Sequence, residues 1–162
     1  MELISNELRE ALVEQWSHEM YNSSIYLTIG AYLKNKGFDS LAKHFEDQRD
    51  EERGHADHIL KLLTDLNVDF YSPQIDGFNC DRINSIVDIG NLYVEREKIT
   101  TESLQELKQL AMDDNCGIVE ESMRELISRQ QAEMDESLTF QDRANIIGND
   151  WKFVLLWDIS LG

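Results

Sequence analysis

The sequence predicts an all-α fold, a four-helix bundle with one long crossover connection and a short fifth helix near the C-terminal end. Apolar residues recur at alternating steps of three and four along four long stretches, which is the pattern of helices that face a shared interior. Only one proline occurs in the 162 residues, so long helices can run uninterrupted. The connection between the second and third stretches is long enough to cross a whole bundle, which sets the order of the helices.

Turn and capping residues mark the helix boundaries, and residues 1–162 are predicted to form a single domain. The bundle helices are predicted over residues 6–34, 39–66, 82–112 and 117–141, and the short helix over residues 151–159. Gly37 can take the left-handed turn that ends the first helix. Asp39 and Asp81 are predicted to cap the second and third helices.

The connection over residues 67–81 predicts how the two halves of the bundle are joined. A chain of this length can extend over about 50 Å, whereas a helix of 28 residues is about 42 Å long. The third helix can therefore start at the far end of the bundle and run parallel to the second. The alternative is a disordered loop, but Phe70, Tyr71, Ile75 and Phe78 offer apolar side chains that would pack on the bundle.

Each predicted bundle helix has one row of residues that faces the interior, which we call its seam. Every seam is apolar at its ends and polar near its centre. The central positions hold acidic, amide and imidazole side chains: Glu19, Glu52, His55, Glu97, Gln130 and Glu133. Packing the four helices brings these centres to one depth, and several carboxylates buried together without cations would be very costly. The sequence therefore predicts a metal site, and the alternative is a structural network of protonated acids.

The donor types indicate which metal the site would take. Carboxylate oxygens with one imidazole suit iron or manganese, whereas thiolates would suit zinc. Glu52 and His55 are three residues apart and hence on one helix face, so both can reach the interior. A carboxylate can bridge two ions, and Glu52 is the best candidate because it lies at the centre of its seam.

Four motifs resemble those of the non-haem ferritins of prokaryotic type. Glu19 is followed seven residues later by Tyr26, and Glu51-Glu52-Arg53-Gly54-His55 resembles the family's EExxH motif on the second helix. Glu97 and Gln130 fall where the family has ligands on its third and fourth helices. The resemblance covers nearly the whole chain, including the crossover and the short last helix.

This resemblance implies a ligand set for two iron ions. Glu19, Glu52 and His55 would hold the first iron, and Glu52, Glu97 and Gln130 the second. Glu133 and Glu51 are further candidate metal ligands. We therefore expect a di-iron centre inside each subunit.

The resemblance also implies an activity, ferroxidase, in which Fe(II) is oxidised with oxygen or peroxide and stored as ferric mineral. The family builds hollow octahedral shells of 24 subunits, so self-assembly is expected. Tyr26 would lie beside the iron pair, hydrogen-bonded to a ligand or donating an electron. The alternative is an ordinary core tyrosine.

No haem is expected, because the chain departs from the bacterioferritin pattern. That subfamily has a haem-ligating Met between the Glu and the His of its first ExxH motif, where this chain has Arg53 and Gly54. Its second ExxH motif, on the fourth helix, is replaced here by Gln130-Gln131-Ala132-Glu133.

Prokaryotic ferritins often bind a third iron near the pair, and that site is in doubt here. Glu51 and Glu133 are suitably placed, but Arg129 and Ala132 stand where acids would be expected. If Arg129 faces the site, its fixed charge would repel a third cation. If it turns away to pair with a neighbouring acid, Glu133 remains free.

Charge and composition exclude several classes of function. Acidic residues outnumber basic ones 32 to 15, for a net charge of −17, which argues against binding nucleic acid or anionic membranes. No run approaches the roughly 18 apolar residues of a membrane span. Residues 1–7 do not look like a signal peptide, and Cys80 and Cys116 form no CxxC motif. A cytoplasmic protein is expected.

Two other functions compete with the ferroxidase shell. One is a pure storage subunit that co-assembles with an active partner, which the intact ligand set opposes. The other is a soluble di-iron oxidase or peroxidase without a cage. The apolar segment over residues 153–157 opposes the latter, because the family uses it at a subunit junction. The alternative for that segment is a helix folded onto its own bundle.

Overall fold

The computed structural model describes residues 3–162. Met1 and Glu2, the first residues of the segment predicted not to be a signal peptide, lie outside the described residues. Five helices follow one another: α1 Asn6–Asn35, α2 Asp39–Asp65, α3 Ile86–Asp113, α4 Gly117–Ile147 and α5 Trp151–Leu161. In this described part the regular structure is entirely helical, which confirms the predicted fold class.

Two apolar clusters fill the two ends of the bundle. The first core cluster joins the start of α1, the end of α2, the end of α3 and the start of α4; its members include Leu12, Leu63, Leu107 and Met123. The second core cluster joins the opposite ends of the same helices; its members include Ile29, Phe45, Tyr93 and Phe140. Each helix therefore crosses a layer between the two clusters, and its polar centre lies in that layer.

The connection between α2 and α3, residues 66–85, runs from one cluster to the other. Val68 belongs to the first core cluster, where Phe70 packs edge-on against Trp16 with ring centroids 4.8 Å apart. Ile83 belongs to the second core cluster, where its carbonyl accepts a hydrogen bond from the Tyr32 hydroxyl. The connection thus spans the bundle and packs on it, so α2 and α3 run parallel as predicted.

The third helix starts four residues later than predicted, and Asp81 is not its cap. Ser85 occupies that position in an extended conformation, and its hydroxyl accepts a hydrogen bond from the Asp88 amide. The Asp88 carboxylate accepts a second hydrogen bond, at 2.8 Å, from the backbone amide of Asn84, the residue before the cap. These two hydrogen bonds satisfy amides at the start of the helix and fix where it begins.

Asp39 does not cap α2 either, because it lies inside the first turn. Phe38 holds the cap position and makes no side-chain cap hydrogen bond. Instead, the amide of Leu41 donates to Oδ1 of Asp158, 2.8 Å away on α5. The start of α2 is therefore capped by a buried acid 117 residues further along the chain, and this contact ties the last helix to the bundle.

The fourth helix continues six residues beyond its predicted end, to Ile147. Ala144 is buried against α3, where a Cβ on Gly90 would lie 3.3 Å from the Ala144 Cβ and 3.1 Å from the Gln141 Cα. This close contact between α3 and α4 favours continuation of the helix through Gln141. Gly148 then ends it with a φ of +76°.

The short helix α5 is two residues longer than predicted and has two distinct faces. Val154 and Asp158 are buried against the bundle, and Trp157 contacts Phe140 with ring centroids 4.9 Å apart. Phe153 and Leu156 on the other face are 54% and 65% exposed. None of the helices in the described part of the chain has the length and apolar character of a membrane span.

We predict that Asp158→Ala lowers the free energy of unfolding by about 1–2 kcal/mol, because the Leu41 amide loses its buried acceptor. Asp158→Asn is the matched control, since its amide oxygen can still accept that hydrogen bond. Urea unfolding followed by circular dichroism would measure both. Equal midpoints for the alanine variant and the parent would contradict this role for Asp158.

Candidate metal centre

The layer between the two core clusters holds the predicted ligands. Six of the seven predicted metal residues are buried there: Glu19 from α1, Glu52 and His55 from α2, Glu97 from α3, and Gln130 and Glu133 from α4. The seventh, Glu51, is more exposed and lies at the opening of the layer. The four bundle helices therefore bring these side chains together in one layer, at the common depth that the sequence predicts.

The acids and the imidazole form two overlapping groups. Donor atoms of Glu19, Glu52 and His55 lie within 4.8 Å of one another, and so do those of Glu52, Glu97 and Glu133. Glu52 belongs to both groups. This geometry fits two adjacent cations that share one carboxylate.

His55 lies between the carboxylates of three helices. Its Nδ1 is 3.6 Å from Oε2 of Glu19 and 3.9 Å from Oε2 of Glu52, and its Nε2 is 3.3 Å from Oε1 of Glu133. In the absence of metal, a protonated imidazole can partly balance these acids. A cation would take over that role and release the ring as a neutral ligand.

Several buried acceptors in the layer have no hydrogen-bond partner. They are both carboxylate oxygens of Glu52 and single oxygens of Glu19, Gln130 and Glu133. Leaving a buried acceptor unpaired costs about 1–3 kcal/mol. Oxygen atoms that converge without donors are suited to binding hard cations.

Glu97 is oriented by two hydrogen bonds. The Tyr26 hydroxyl donates to Oε1 at 2.6 Å, and the Gln130 amide group donates to Oε2 at 2.6 Å. Gln130 thereby keeps its own oxygen free for a cation. Tyr26 is fully buried and directly contacts a candidate ligand.

Sequence reasoning missed Gln15, which orients Glu19 by donating to its Oε1 at 3.0 Å. Gln15 is buried and lies four residues before Glu19, on the same helix face. That spacing was the available signal, but Gln15 lies beside the seam.

A second set of missed residues joins α1 to α3 behind the ligands. The His18 imidazole and the Thr100 hydroxyl are 2.6 Å apart, and Arg96 Nε donates to Oδ1 of the buried Asn22 at 2.8 Å. His18 and Arg96 each directly precede a candidate ligand in the sequence. The network therefore fixes the two helices that carry Glu19 and Glu97. Its signal in the sequence was two pairs of residues spaced i, i+4, which are His18 with Asn22 and Arg96 with Thr100.

The layer opens to the surface between α2 and α4. A groove of about 490 Å³ is lined by polar and small residues: Glu51, Gly54, His55, His58, Arg129, Ala132, Glu133 and Glu136. Arg129 and Ala132 thus flank the opening. Glu136 adds an acid that sequence reasoning missed, although it follows Glu133 by three residues, one helical turn.

Burial and mutual repulsion alter the acidity of the buried groups. Burial and the charge of Glu19 raise the pKa of Glu52 well above its usual range. Burial raises the pKa of Glu97 to about 7, despite the hydrogen bonds from Tyr26 and Gln130.

The pKa values of the other two groups reflect competing effects. Burial lowers the pKa of His55, but its contacts with Glu133 and Glu19 outweigh this and raise the value to about 10. Burial has the opposite effect on an acid and raises the pKa of Glu19, but the contacts of Glu19 with Glu52 and His55 outweigh burial and lower the value to about 2. The metal-free layer therefore holds protons that an arriving cation must displace.

The profile of the ferritin-like domain family matches residues 9–145, which contain every buried residue of the layer. The chain belongs to the ferritin family. Ferritin BfrB of Mycolicibacterium smegmatis is 26% identical over 147 residues, covering 91% of this chain and 81% of that ferritin. A bacterial non-heme ferritin of Staphylococcus aureus is 24% identical over 163 residues, covering 99% and 96%.

Solved ferritins share this architecture. A humanized archaeal ferritin superposes with a TM-score of 0.90 at 22% identity, covering 98% of this chain and 95% of that one. An open pore ferritin of Archaeoglobus fulgidus gives a TM-score of 0.85 at 21% identity, covering 98% and 97%. These similarities confirm the ferritin fold, and the family and the names of the relatives support iron storage.

We predict that divalent cations displace protons from this layer and bind more tightly as pH rises from 6 to about 8. At neutral pH His55 holds a proton and Glu97 is partly protonated, because their pKa values are raised to about 10 and about 7, and burial with the charge of Glu19 also raises the pKa of Glu52. Zinc titration by calorimetry, in two buffers with different ionisation enthalpies, measures the release. Binding heats that do not depend on the buffer would contradict it.

Proposed function

We propose that this ferritin oxidises Fe(II) with oxygen or peroxide at a di-iron centre inside its bundle and stores the ferric product in a hollow shell. The observation that carries the proposal is Glu52, a fully buried carboxylate that belongs to both donor groups and has no hydrogen-bond partner. A shared carboxylate can hold two iron ions close together, so that both can deliver electrons to one oxidant.

The two irons are substrates with different surroundings. Glu19, Glu52 and His55 would bind the first, which therefore has the imidazole. Glu52, Glu97 and the free oxygen of Gln130 would bind the second, with Glu133 available to both because it also contacts His55. An oxygen-rich set of this kind stabilises the higher charge of Fe(III), which favours oxidation.

We assign Tyr26 the role of an electron donor beside the pair. Its hydroxyl hydrogen-bonds Glu97, so the phenol proton has an acceptor when an electron leaves. Two Fe(II) supply two electrons, which reduce oxygen only to the level of peroxide. Tyr26 would supply a further electron toward water.

We propose that a third iron binds weakly at the opening and that haem is not bound. Arg129 lines the groove with Glu51 and Glu133, and its permanent charge opposes another cation there. Burial and Glu133 raise the pKa of Glu51 to about 7, so Glu51 also takes up a proton in competition with metal. Arg53 stands where a haem-ligating Met would be needed, and a guanidinium does not ligate haem iron.

We predict that Glu52→Ala and His55→Ala each slow Fe(II) oxidation by at least about 100-fold, because losing a ligand costs more than the 10–100-fold loss typical of a residue that only hydrogen-bonds a ligand. Both variants should stay helical, because the two apolar clusters remain, but His55→Ala should be the less stable of the two, since it removes the cation that partly balances the buried acids. Stopped-flow absorbance after mixing anaerobic Fe(II) protein with oxygen measures the rate.

Asp57→Ala is the matched control, because it removes an exposed acid from the same helix. It should oxidise iron at the parent rate. Parent-like rates in Glu52→Ala or His55→Ala would make the site assignment wrong. A parent protein no faster than iron in buffer would favour a pure storage subunit.

We further propose assembly into an octahedral shell of 24 subunits. The outward face of α5 leaves Phe153, Leu156 and Ile159 exposed, and symmetric contacts among copies would cover this apolar surface. A cytoplasmic shell agrees with Cys80 and Cys116, which are unpaired, because the cytosol keeps thiols reduced.

We predict small-angle scattering with the minima of a hollow sphere for the parent protein. Leu156→Asp should abolish those minima, because it places charge on the face that copies would share. Asp57→Ala, on an exposed position of α2 outside that face, is the control and should assemble. Scattering from the parent that fits a compact monomer or dimer would refute the shell.

A further inference from the structure

A second buried tyrosine lies next to Tyr26, and the proposed iron chemistry does not use it. Tyr93 is fully buried on α3, one helical turn before Glu97. Its ring meets that of Tyr26 edge-on, with centroids 5.6 Å apart. Rings in contact exchange electrons readily, because tunnelling weakens steeply with distance.

The hydroxyl of Tyr93 has a base within reach. The His44 Nε2 atom lies 3.2 Å from the phenol oxygen, and the His44 ring stacks on Phe140 with centroids 5.8 Å apart. Burial lowers the pKa of His44, so the imidazole is neutral at pH 7 and can accept at Nε2. A tyrosine can lose an electron readily only when its proton has such an acceptor.

Packing alone does not explain this pair. Phe45 and Phe140 surround Tyr93, with centroid distances of 5.2 and 5.7 Å, so a phenylalanine at position 93 would suit the cluster. A buried hydroxyl is costly without a partner. The chain instead places a hydroxyl there and a half-buried histidine to receive its hydrogen bond.

We propose that Tyr93 is a second redox-active tyrosine, which returns an electron to Tyr26 after Tyr26 has been oxidised and passes its own proton to His44. This inference rests on the proposed ferroxidase function. Tyr93 does not touch iron and acts through Tyr26. The pair would let one turnover at a single iron pair reduce oxygen completely to water.

The electrons and protons balance. Reduction of one oxygen molecule to two water molecules takes four electrons and four protons. Two Fe(II) give two electrons and Tyr26 gives a third, with its proton moving to Glu97. Tyr93 then reduces the Tyr26 radical, which recovers its proton from Glu97, while the Tyr93 proton moves to His44 Nε2.

Tyr26 is thereby restored and gives the fourth electron, so both tyrosines end as neutral radicals. Two further Fe(II) that bind afterwards reduce them, and His44 and Glu97 return the protons. Solvent supplies all four protons for water, because the tyrosine protons return to the tyrosines. Completed cycles therefore consume four Fe(II) for each oxygen molecule.

The test combines freeze-quench electron paramagnetic resonance with oxygen and peroxide measurements on the assembled protein. For the radical signal, iron-free protein receives two Fe(II) per subunit without oxygen and is then mixed with oxygen. For the stoichiometry, Fe(II) is supplied in excess of the sites, and the oxygen consumed and the peroxide formed are measured. The variants are Tyr93→Phe and His44→Gln, and Tyr32→Phe is the matched control, because Tyr32 is a half-buried tyrosine on α1 that packs against Trp151 instead.

In Tyr93→Phe we expect the tyrosyl signal to be largely lost, the Fe(II) consumed per oxygen to drop from four toward two, and peroxide to be released, because the fourth electron is missing and the two electrons from iron reduce oxygen only to peroxide. His44→Gln should weaken the signal too, because an amide is a poor proton acceptor. The initial rate of Fe(II) oxidation should stay within about twofold of the parent in both variants. Tyr32→Phe should match the parent in every measurement.

The outcomes separate this inference from the proposed function. If the parent oxidises Fe(II) but Tyr93→Phe keeps the parental radical signal and stoichiometry, the relay is wrong and the ferroxidase stands. The same conclusion follows if the parent oxidises Fe(II) and forms no tyrosyl radical. If the parent does not oxidise Fe(II), the proposed function fails, and the relay fails with it.

Discussion

The buried carboxylate of Glu52 is the constraint on which the rest of the structure depends. It lies in a layer with three other glutamates, is fully excluded from solvent, and has no hydrogen-bond donor for either oxygen. Such a group opposes folding unless a proton or a cation compensates it. The two apolar clusters on either side supply the stability that this layer cannot. The bundle is therefore stabilised at its two ends, and the carboxylates in its middle remain free to bind protons or cations.

The periodic seams predict the polar layer correctly because periodicity reports which side chains face the interior. Glu19 and Glu97, on helices that are distant in sequence, both lie near Glu52 because each sits at the middle of its seam. Periodicity does not report where a helix begins. α2 begins at Asp39, as predicted, but the acid that caps its start is Asp158, 117 residues beyond Leu41, and no local pattern contains that contact.

The residues missed near the site share a different cause. His18 and Arg96 lie beside the seams and hydrogen-bond across the interface of α1 and α3, so their roles depend on how these helices pack. Gln15 also lies beside its seam, but it hydrogen-bonds Glu19 within α1. The late start of α3 is another matter, because Ser85 and Asp88 form a local capping motif that the sequence contains. That local motif is sufficient to predict where α3 begins, whereas the hydrogen bonds between helices follow only from the packed structure.

The layer has two unlike sides, and this asymmetry would link the proposed iron chemistry to the proposed assembly. One side opens through a polar groove near His58 and Arg129, which suits the passage of hydrated cations. The other side abuts aromatic rings that run from Tyr26 through Tyr93 and Phe140 to Trp157 on α5. Cations and electrons can therefore reach the same carboxylates from different directions. Because α5 also carries the exposed apolar face, contacts between subunits would hold Trp157 in place and keep water from the aromatic side of the centre.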